Sequence, residues 1–343
     1  MGWSFARVLF PAVYFLLSPT YVSAKPGLFA PSDPQLPVFL NARSRSVYQV
    51  VLMGSPGKQV NRKDYAETLE KWAAGDFLHR LSAPFLRQCA LEAASTCQIP
   101  YTSTGTAFLA DSNDTLWSAR HVFEGEVNRA EIRLASPDDD VAYARILKLP
   151  LSFVLLDSGG HVVFDTRKPG DSAQLTLYGI PGRRGFDELA SDVSRIHLSR
   201  RLQGELLTFS SRVPRVGEKV FLAGYPTATQ GTRAKIGAPD ADGLGIRVSV
   251  GNVLDPVQAR KRMELSADRA IPGKSADSML FSDADVVAGQ SGSPVFDRGD
   301  RVVSVYSKHS TVKDGGRPEE GYSDRGGVGI TTQALDLLIQ RYR

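Results

Sequence analysis

Short apolar segments recur about every ten residues after Tyr101, and this spacing constrains the fold more than any other feature of the sequence. Gly, Pro, Asp or Ser residues separate most of the segments. Regularly spaced strands of this length are typical of an all-β sandwich or barrel, whereas a helical α/β enzyme would need longer periodic segments. The segments span residues 107–109, 132–134, 153–156, 162–164, 175–178, 220–223, 246–250 and 302–306.

The first residues form a leader that differs from the rest of the chain. Arg7 precedes an apolar run at 8–17, and small residues follow up to Ala24. This order predicts a secretory signal peptide at 1–24 that is cleaved after Ala24. A membrane anchor would need about 20 apolar residues, and this run is shorter and contains Pro11. We therefore expect export to the periplasm or the extracellular space, without stable membrane insertion after cleavage.

The charge distribution does not indicate a nucleic-acid partner. The formal net charge is only +4, and cleavage of the leader removes Arg7 and no other charged residue. Nucleic-acid binders usually cluster Lys and Arg on one face or in runs. Here the pairs at 183–184 and 200–201 are isolated, so we interpret them as solvated surface.

A partly helical N-terminal extension is predicted for residues 25–100. Its first part is rich in Pro, Ser and Gly and contains one strand-like run at 47–53. Helical spacing follows at Tyr65, Leu69 and Trp72, and a second helical stretch is predicted at 85–94. The sequence leaves open whether this extension is a removable pro-segment or a brace packed on the main domain.

The chain ends in a predicted helix at 331–343. Thr331 or Thr332 is the expected N-cap, because a threonine side chain can accept a hydrogen bond from an amide of the first turn. The N-cap is followed by the apolar residues of the predicted helix, which are Ala334, Leu335, Leu337, Leu338 and Ile339.

Cys89 and Cys97 are the only cysteines. In an oxidising compartment they are candidates for a disulfide. A continuous helix would separate their Cα atoms by about 12 Å, too far for a bridge. The helix would therefore have to end before Cys97, and the alternative is two buried thiols.

The segment GQSGS at 289–293 is the strongest candidate for chemistry. Glycines around Ser291 allow a tight turn that exposes its hydroxyl, and the amides of Gly289 and Ser291 can then face one point. Such amides stabilise the negative charge that develops on a carbonyl oxygen during acyl transfer. The alternative is an ordinary Gly/Ser turn before the strand at 294–296.

Two further segments supply a candidate base and acid. His121 follows a strand that ends in Trp-Ser-Ala-Arg, and Asp192 precedes an alternating strand at 193–198. A carboxylate placed against an imidazole N–H selects the tautomer and stabilises the imidazolium. Considered alone, a single histidine is usually a surface residue or a hydrogen-bonded core residue. An aspartate directly before a strand usually belongs to a turn.

Together the motifs SARHVF, DVSRIHL and GQSGSPVF place His121, Asp192 and Ser291 in that order along the chain. In this order they resemble the motifs of the chymotrypsin/trypsin-like peptidase family, in its bacterial secreted, glutamyl-endopeptidase-like branch. The resemblance covers about residues 101–330.

The resemblance implies two six-stranded antiparallel β-barrels, at 101–205 and 206–330, with the substrate in the crevice between them. His121 and Asp192 would lie on the first barrel and Ser291 on the second. The oxyanion hole of the family corresponds to the amides of Gly289 and Ser291.

The resemblance also implies a candidate substrate-pocket residue. Asp285, six residues before Ser291, occupies the position that favours Lys or Arg substrates in trypsins, although secreted bacterial members often have an Asp here without that preference. Gln290 replaces the acid that receives a freed N-terminus in trypsin-type zymogens, so that activation route is not expected.

Other catalytic arrangements fit the sequence less well. An α/β-hydrolase has the motif G-x-S-x-G and the order Ser, Asp, His, but Ser293 occupies the last motif position here and His121 precedes the serine. The flanking motifs of subtilisins, which have the order Asp, His, Ser, are absent, although Asp111 or Asp114 precedes His121. No H-E-x-x-H motif indicates a metal, and we interpret the acidic run 138–140 as solvated.

The sequence therefore predicts a secreted serine endopeptidase that forms an acyl-enzyme on a protein or peptide substrate, with no cofactor and no metal. Two alternatives stay open: a catalytically silent protease-like binding module, and an esterase that uses the same triad.

Overall fold

The computed structural model describes the chain in segments separated by gaps. The described residues are 28–61, 81, 84–85, 87–88, 91, 95–124, 145–147, 152–178, 192–226, 245–257, 259, 279–284, 286, 289–309 and 327–341.

The fold is built mainly from antiparallel strands that form two curled sheets. In chain order the strands are β1 (Leu28–Phe29), β2 (Val47–Asn61), β3 (Thr96–Leu109), β4 (Thr115–Ser118), β5 (Arg145–Leu147), β6 (Phe153–Leu156), β7 (Val162–Asp165), β8 (Ala173–Tyr178), β9 (Val193–Leu198), β10 (Lys219–Gly224), β11 (Arg247–Asn252), β12 (Met279–Ser282), β13 (Pro294–Phe296), β14 (Val302–His309) and β15 (Gly327–Thr331). The helices are α1 (Phe39–Arg43), α2 (His121–Glu124) and α3 (Thr332–Arg341), and a 3₁₀ turn covers Ser44–Ser46.

The first sheet has eight strands in the order β5-β8-β9-β4-β3-β2-β6-β7, all paired antiparallel. The sheet curls because alternate side chains from opposite ends of the order bury their apolar surface in one core. This core contains Leu52, Leu109, Leu116, Phe123, Phe153, Leu155, Phe164 and Ile196.

The second sheet has seven strands in the order β1-β11-β10-β13-β14-β15-β12. Backbone hydrogen bonds from Leu254 N to Phe281 O (2.8 Å) and from Asp283 N to Asn252 O (3.1 Å) join β12 to the end of β11. Six strands therefore close into a barrel, and β1 is an addition along β11. The barrel interior is filled by Val220, Leu222, Val253, Leu280, Val286, Val295, Val303 and Tyr306.

Both sheets contribute to a third apolar cluster, which joins them. It contains Phe108 and Trp117 from the first sheet and Phe221, Phe296 and Val305 from the second. The two-barrel, all-β prediction is confirmed, with eight and seven strands rather than six in each sheet. N-terminal residues contribute β2 to the first sheet and β1 to the second.

The N-terminal residues are integral to this fold. β1 pairs with β11 in the second sheet, and β2 lies between β3 and β6 in the first. The first sheet therefore includes β2, which lies within the predicted N-terminal extension 25–100. The sequence shows a strand-like run there, but it contains no local signal for the distant strands with which that run pairs.

The C-terminal helix is confirmed as α3. Thr331 is its N-cap, since the Ala334 amide donates to Thr331 Oγ1 at 3.3 Å. Thr332 Oγ1 donates to Ser210 O at 2.7 Å and fastens the helix start to the connection between the barrels. No helix in the described parts of the chain is long and apolar enough to span a membrane.

Several sequence predictions lie wholly or partly outside the described residues. They concern the signal peptide at 1–24, the helical face at 65–72, the acidic run at 138–140 and Asp285. In the predicted second helical stretch at 85–94, the described residues 85, 87–88 and 91 are helical. Cys97 is buried in β3, but Cys89 is outside the described residues, so their pairing stays a prediction.

Candidate active site

Strand register brings His121 and Asp192 together. β4 pairs with β9 so that Ser118 lies opposite Ser194. His121 begins α2 three residues after Ser118, and Asp192 lies two residues before Ser194, so both reach the same end of the paired strands. The full burial of β4 and the β4–β9 ladder hold this register.

Two hydrogen bonds connect His121 to Asp192. The His121 amide donates to Asp192 Oδ1 at 2.8 Å, and the ring Nδ1 lies 2.6 Å from Asp192 Oδ2. Because an ionised carboxylate can only accept hydrogen bonds, Nδ1 carries the proton and Nε2 is left as an acceptor when the ring is neutral. This is the tautomer in which an imidazole can remove a proton from a third group.

The electrostatic environment keeps Asp192 ionised. Its side chain is 5% exposed, whereas that of His121 is 40% exposed. Burial by itself raises the pKa of the carboxyl, but the charge and hydrogen bond of His121, the hydrogen bond from Ser307 and the charge of Arg120 outweigh it and lower the pKa to about 2. The buried carboxylate therefore stays negative beside a partly exposed imidazole.

Ser307 is a site residue that sequence reasoning missed. It lies on β14 of the second sheet, and its hydroxyl donates to Asp192 Oδ2. The only local signal in the sequence is a small polar residue directly after the apolar segment 302–306. The structure shows that this position is fully buried. Its partner is 115 residues away in the sequence, so the contact could not be inferred from spacing.

The turn that carries Ser291 is formed by two glycines with left-handed backbone conformations. Gly289 has φ 90° and Gly292 has φ 89°, values that side-chain-bearing residues rarely adopt. Ser293 Oγ closes the turn by donating to Gln290 O at 2.6 Å. Within the described residues, the amides of Gly289 and Ser291 donate to no protein acceptor. Both predicted oxyanion donors thus belong to one small turn.

This turn is fastened to the first sheet through Thr106 of β3. The Thr106 amide donates to Ser291 O at 2.8 Å, and Thr106 Oγ1 donates to Gly289 O at 3.0 Å. Oγ1 also accepts from the Tyr225 amide at 3.0 Å. One buried threonine therefore joins the serine turn, the first sheet and the end of β10.

Close contact at Gly292 places the serine turn beside the histidine. A Cβ on Gly292 would lie 2.0 Å from Thr106 O and 2.8 Å from Ala119 N. Gly292 follows Ser291, and Ala119 lies two residues before His121, so the serine turn lies against the segment that leads into His121. The structure thus pairs His121 with Asp192 and places the turn of Gly289 and Ser291 next to that segment.

Other candidate groups have ordinary structural partners. His161 pairs with Asp157 at 3.3 Å, and His197 pairs with Asp114 at 3.7 Å, with both histidine side chains exposed. Asp111 accepts a hydrogen bond from Trp117 Nε1 at 3.0 Å. In the described segments, no group of three or more His, Cys, Asp or Glu side chains is arranged to hold a metal ion.

Comparisons with known proteins give one family match. The sequence profile of the trypsin-like peptidase domain matches residues 105–305. No curated protein sequence matches the chain.

Solved structures were also compared with the chain. The Rv3671c protease in an inactive form is 13% identical, with a TM-score of 0.43, and covers 91% of this chain and 98% of its own. A serine-to-alanine mutant of Rv3671c from M. tuberculosis H37Rv, also inactive, is 12% identical, with a TM-score of 0.42 and 88% of each chain covered.

Proposed function

Because the chain belongs to the trypsin-like peptidase domain family, we propose that it is a serine endopeptidase with Ser291 as nucleophile, His121 as general base and Asp192 as orienting acid. The observation that carries the proposal is the doubly hydrogen-bonded His121–Asp192 pair beside the serine turn. Within the family, the leader and the GQSGSPVF motif support a place in the secreted bacterial branch.

The proposed reaction begins with proton transfer from Ser291 to His121. Ser291 Oγ attacks the carbonyl carbon of the peptide bond while His121 Nε2 takes the hydroxyl proton. The carbonyl oxygen becomes negative, and the amides of Gly289 and Ser291 are the proposed donors to it. Asp192 stays ionised through this step because its pKa is about 2, and its charge stabilises the imidazolium.

The tetrahedral intermediate then collapses to an acyl-enzyme. The C–N bond breaks, and His121 returns its proton to the leaving amine. Water attacks the ester carbonyl in the same geometry, with His121 first taking a proton from the water and then giving it to Ser291 Oγ. The products are two peptides, and the enzyme regains its starting protonation state.

The structure of the N-terminal part supports a mature chain that keeps residues 28–61. Removal of residues 25–100 would take away β2, which hydrogen-bonds to both β3 and β6. We therefore propose cleavage after Ala24 and export without loss of this strand. N-terminal sequencing of the exported protein should begin at Lys25, and a first residue beyond 61 would contradict the proposal.

The test of catalysis is labelling with a fluorophosphonate probe together with cleavage of a peptide library. Wild-type protein should be labelled on Ser291 and should cleave peptides. Ser291→Ala should lose labelling and reduce turnover by about 10⁶-fold, because the nucleophile is removed. His121→Ala should behave similarly, whereas the matched variant His161→Ala should keep full activity.

Failure has two distinguishable forms. A folded wild-type protein that neither reacts with the probe nor cleaves any peptide would contradict catalysis and favour a silent binding module. A protein that is labelled and cleaves esters but no peptide would contradict only the peptidase assignment.

A further inference from the structure

Arg120, the residue directly before His121, is buried beside the acid–base pair. It is 3% exposed. Its Nη1 donates to the Tyr178 carbonyl at 3.2 Å. Tyr178 ends β8 and pairs with Val193, the residue after Asp192. The guanidinium is thus held at the strand end from which the Asp192 side chain emerges.

A cation in this position is costly unless a negative charge compensates for it. Moving an arginine out of water loses hydration that only a nearby anion and hydrogen bonds can replace. Among the described residues, the groups that act on the Asp192 carboxylate are the His121 ring and amide, the Ser307 hydroxyl and the charge of Arg120. The carboxylate is therefore shared between a fixed cation and a histidine that titrates.

We propose that Arg120 is a positioning residue that keeps His121 a free base at lower pH by placing a fixed, buried positive charge beside the His121–Asp192 pair. The inference rests on the proposed function, in which His121 must be neutral to accept the Ser291 proton.

The direction of the effect follows from electrostatics. Asp192 stabilises the imidazolium, and a fixed cation nearby opposes it, because like charges repel and Arg120 offsets part of the carboxylate charge. Loss of the cation raises the pKa of His121. Since the base must be neutral, the acidic limb of kcat/KM then moves to higher pH.

The substrate cannot reach Arg120 directly, because the side chain is buried. An effect through His121 therefore changes the pH profile and leaves KM on the alkaline plateau unchanged within about twofold. A purely structural arginine would lower stability without moving the profile.

The experiment compares Arg120→Met, which removes the charge, with Arg120→Lys, which keeps it. kcat/KM is measured from about pH 5 to 9, and the His121 ring is titrated by NMR in a Ser291→Ala background, where no catalysis is needed. Arg120→Met should raise both midpoints by about one pH unit, and Arg120→Lys should stay within about 0.3 unit of wild type. Arg200→Met removes a cation that pairs with Asp171 instead, and should shift neither midpoint.

Several outcomes overturn the proposal. One is a folded Arg120→Met protein whose His121 titrates as in the wild type. Another is an Arg120→Lys protein whose midpoints are displaced as far as those of Arg120→Met. If Arg120→Met does not fold, the lysine variant decides, since a midpoint displaced by half a unit or more contradicts a role of the charge.

The NMR titration separates this inference from the proposed function. A wild-type protein without peptidase activity, but with the expected His121 shift in Arg120→Met, would refute the function and keep the electrostatic role. An active enzyme without the shift would refute only the role of Arg120.

Discussion

The two barrels contribute to the site in different ways. The first positions His121 and Asp192 by strand register, and two hydrogen bonds complete the pair within that barrel. The second presents Ser291 on a turn with two left-handed glycines, and this turn is hydrogen-bonded to Thr106 of the first barrel.

The difference indicates that the acid–base pair belongs to one barrel, whereas the complete site depends on how the barrels dock. Three contacts carry that docking near the site: the Thr106 bonds to the serine turn, the Ser307 bond to Asp192 and the bond from Tyr225 Oη to Val47 O at 3.0 Å. Substitutions can therefore damage the chemistry of the pair or the docking of the turn separately.

The largest effect in this comparison is expected from Asp192→Asn, which damages the pair and leaves the Thr106 bonds to the serine turn unchanged. The amide can donate to the ring and hold the wrong tautomer, so kcat should fall by about 10⁴-fold, the loss seen for this change in another serine protease. Steady-state kinetics measure the fall. Asp157→Asn, which removes the charge of the His161–Asp157 pair in the β6–β7 turn, is the matched control and should keep activity. Near-normal kcat in Asp192→Asn would show that the pair does not drive the reaction.

Gly292→Ala should damage the docking and leave the pair intact. The new Cβ meets Thr106 O and Ala119 N, and the residue needs a positive φ, so the serine turn has to move. A displacement of about 1 Å can cost about 10²-fold in rate, and we expect kcat/KM to fall at least that much while His121 still titrates beside Asp192. Kinetics and NMR together check this.

The control for this substitution is Gly170→Ala. Gly170 also has a positive φ, of 91°, but no atom lies within 4 Å of its Cβ position. It should lose about 1 kcal/mol of stability or slightly more and keep activity. Equal kinetics in the two alanine variants would contradict the role assigned to close contact at Gly292.

The smallest effects are expected on the free energy of unfolding, from phenylalanine substitutions at one tyrosine inside the second barrel and one between the barrels. Within the described residues, the Tyr306 hydroxyl in the second barrel core has no hydrogen-bond partner, and burial raises its pKa well above the usual value. Tyr306→Phe should leave the free energy of unfolding unchanged or increase it by about 1 kcal/mol. Tyr225→Phe removes the bond to Val47 across the barrels and should decrease it by about 1 kcal/mol. Chemical denaturation measures both free energies of unfolding. A larger decrease for Tyr306→Phe than for Tyr225→Phe would contradict these expectations.

Much of the fold follows from local sequence patterns. The spacing of the apolar segments predicts an all-β sandwich or barrel, since strand formation and the burial of one face depend on neighbouring residues. The division into two barrels was implied by the family resemblance. The pairing of β1 and β2 could not be predicted in this way, because their partners lie far along the chain and no local pattern encodes them.

The candidate site divides in the same way. The motifs around residues 121, 192 and 291 mark chemically suitable groups, because residue types and flanking glycines are visible in one dimension. Ser307 and Arg120 were not recognised, since their importance comes from contact or charge at Asp192 and neither residue type is unusual in its own segment.

The sequence alone therefore determined the all-β class, the C-terminal helix and the order of the three candidate groups. Only the tertiary structure decided which strand begins the first barrel, which groups surround the buried carboxylate and how closely the serine turn approaches the backbone at Ala119. Those properties depend on distances between segments separated by many residues, and they arise from packing and hydrogen bonding between barrels rather than from any local preference of the chain.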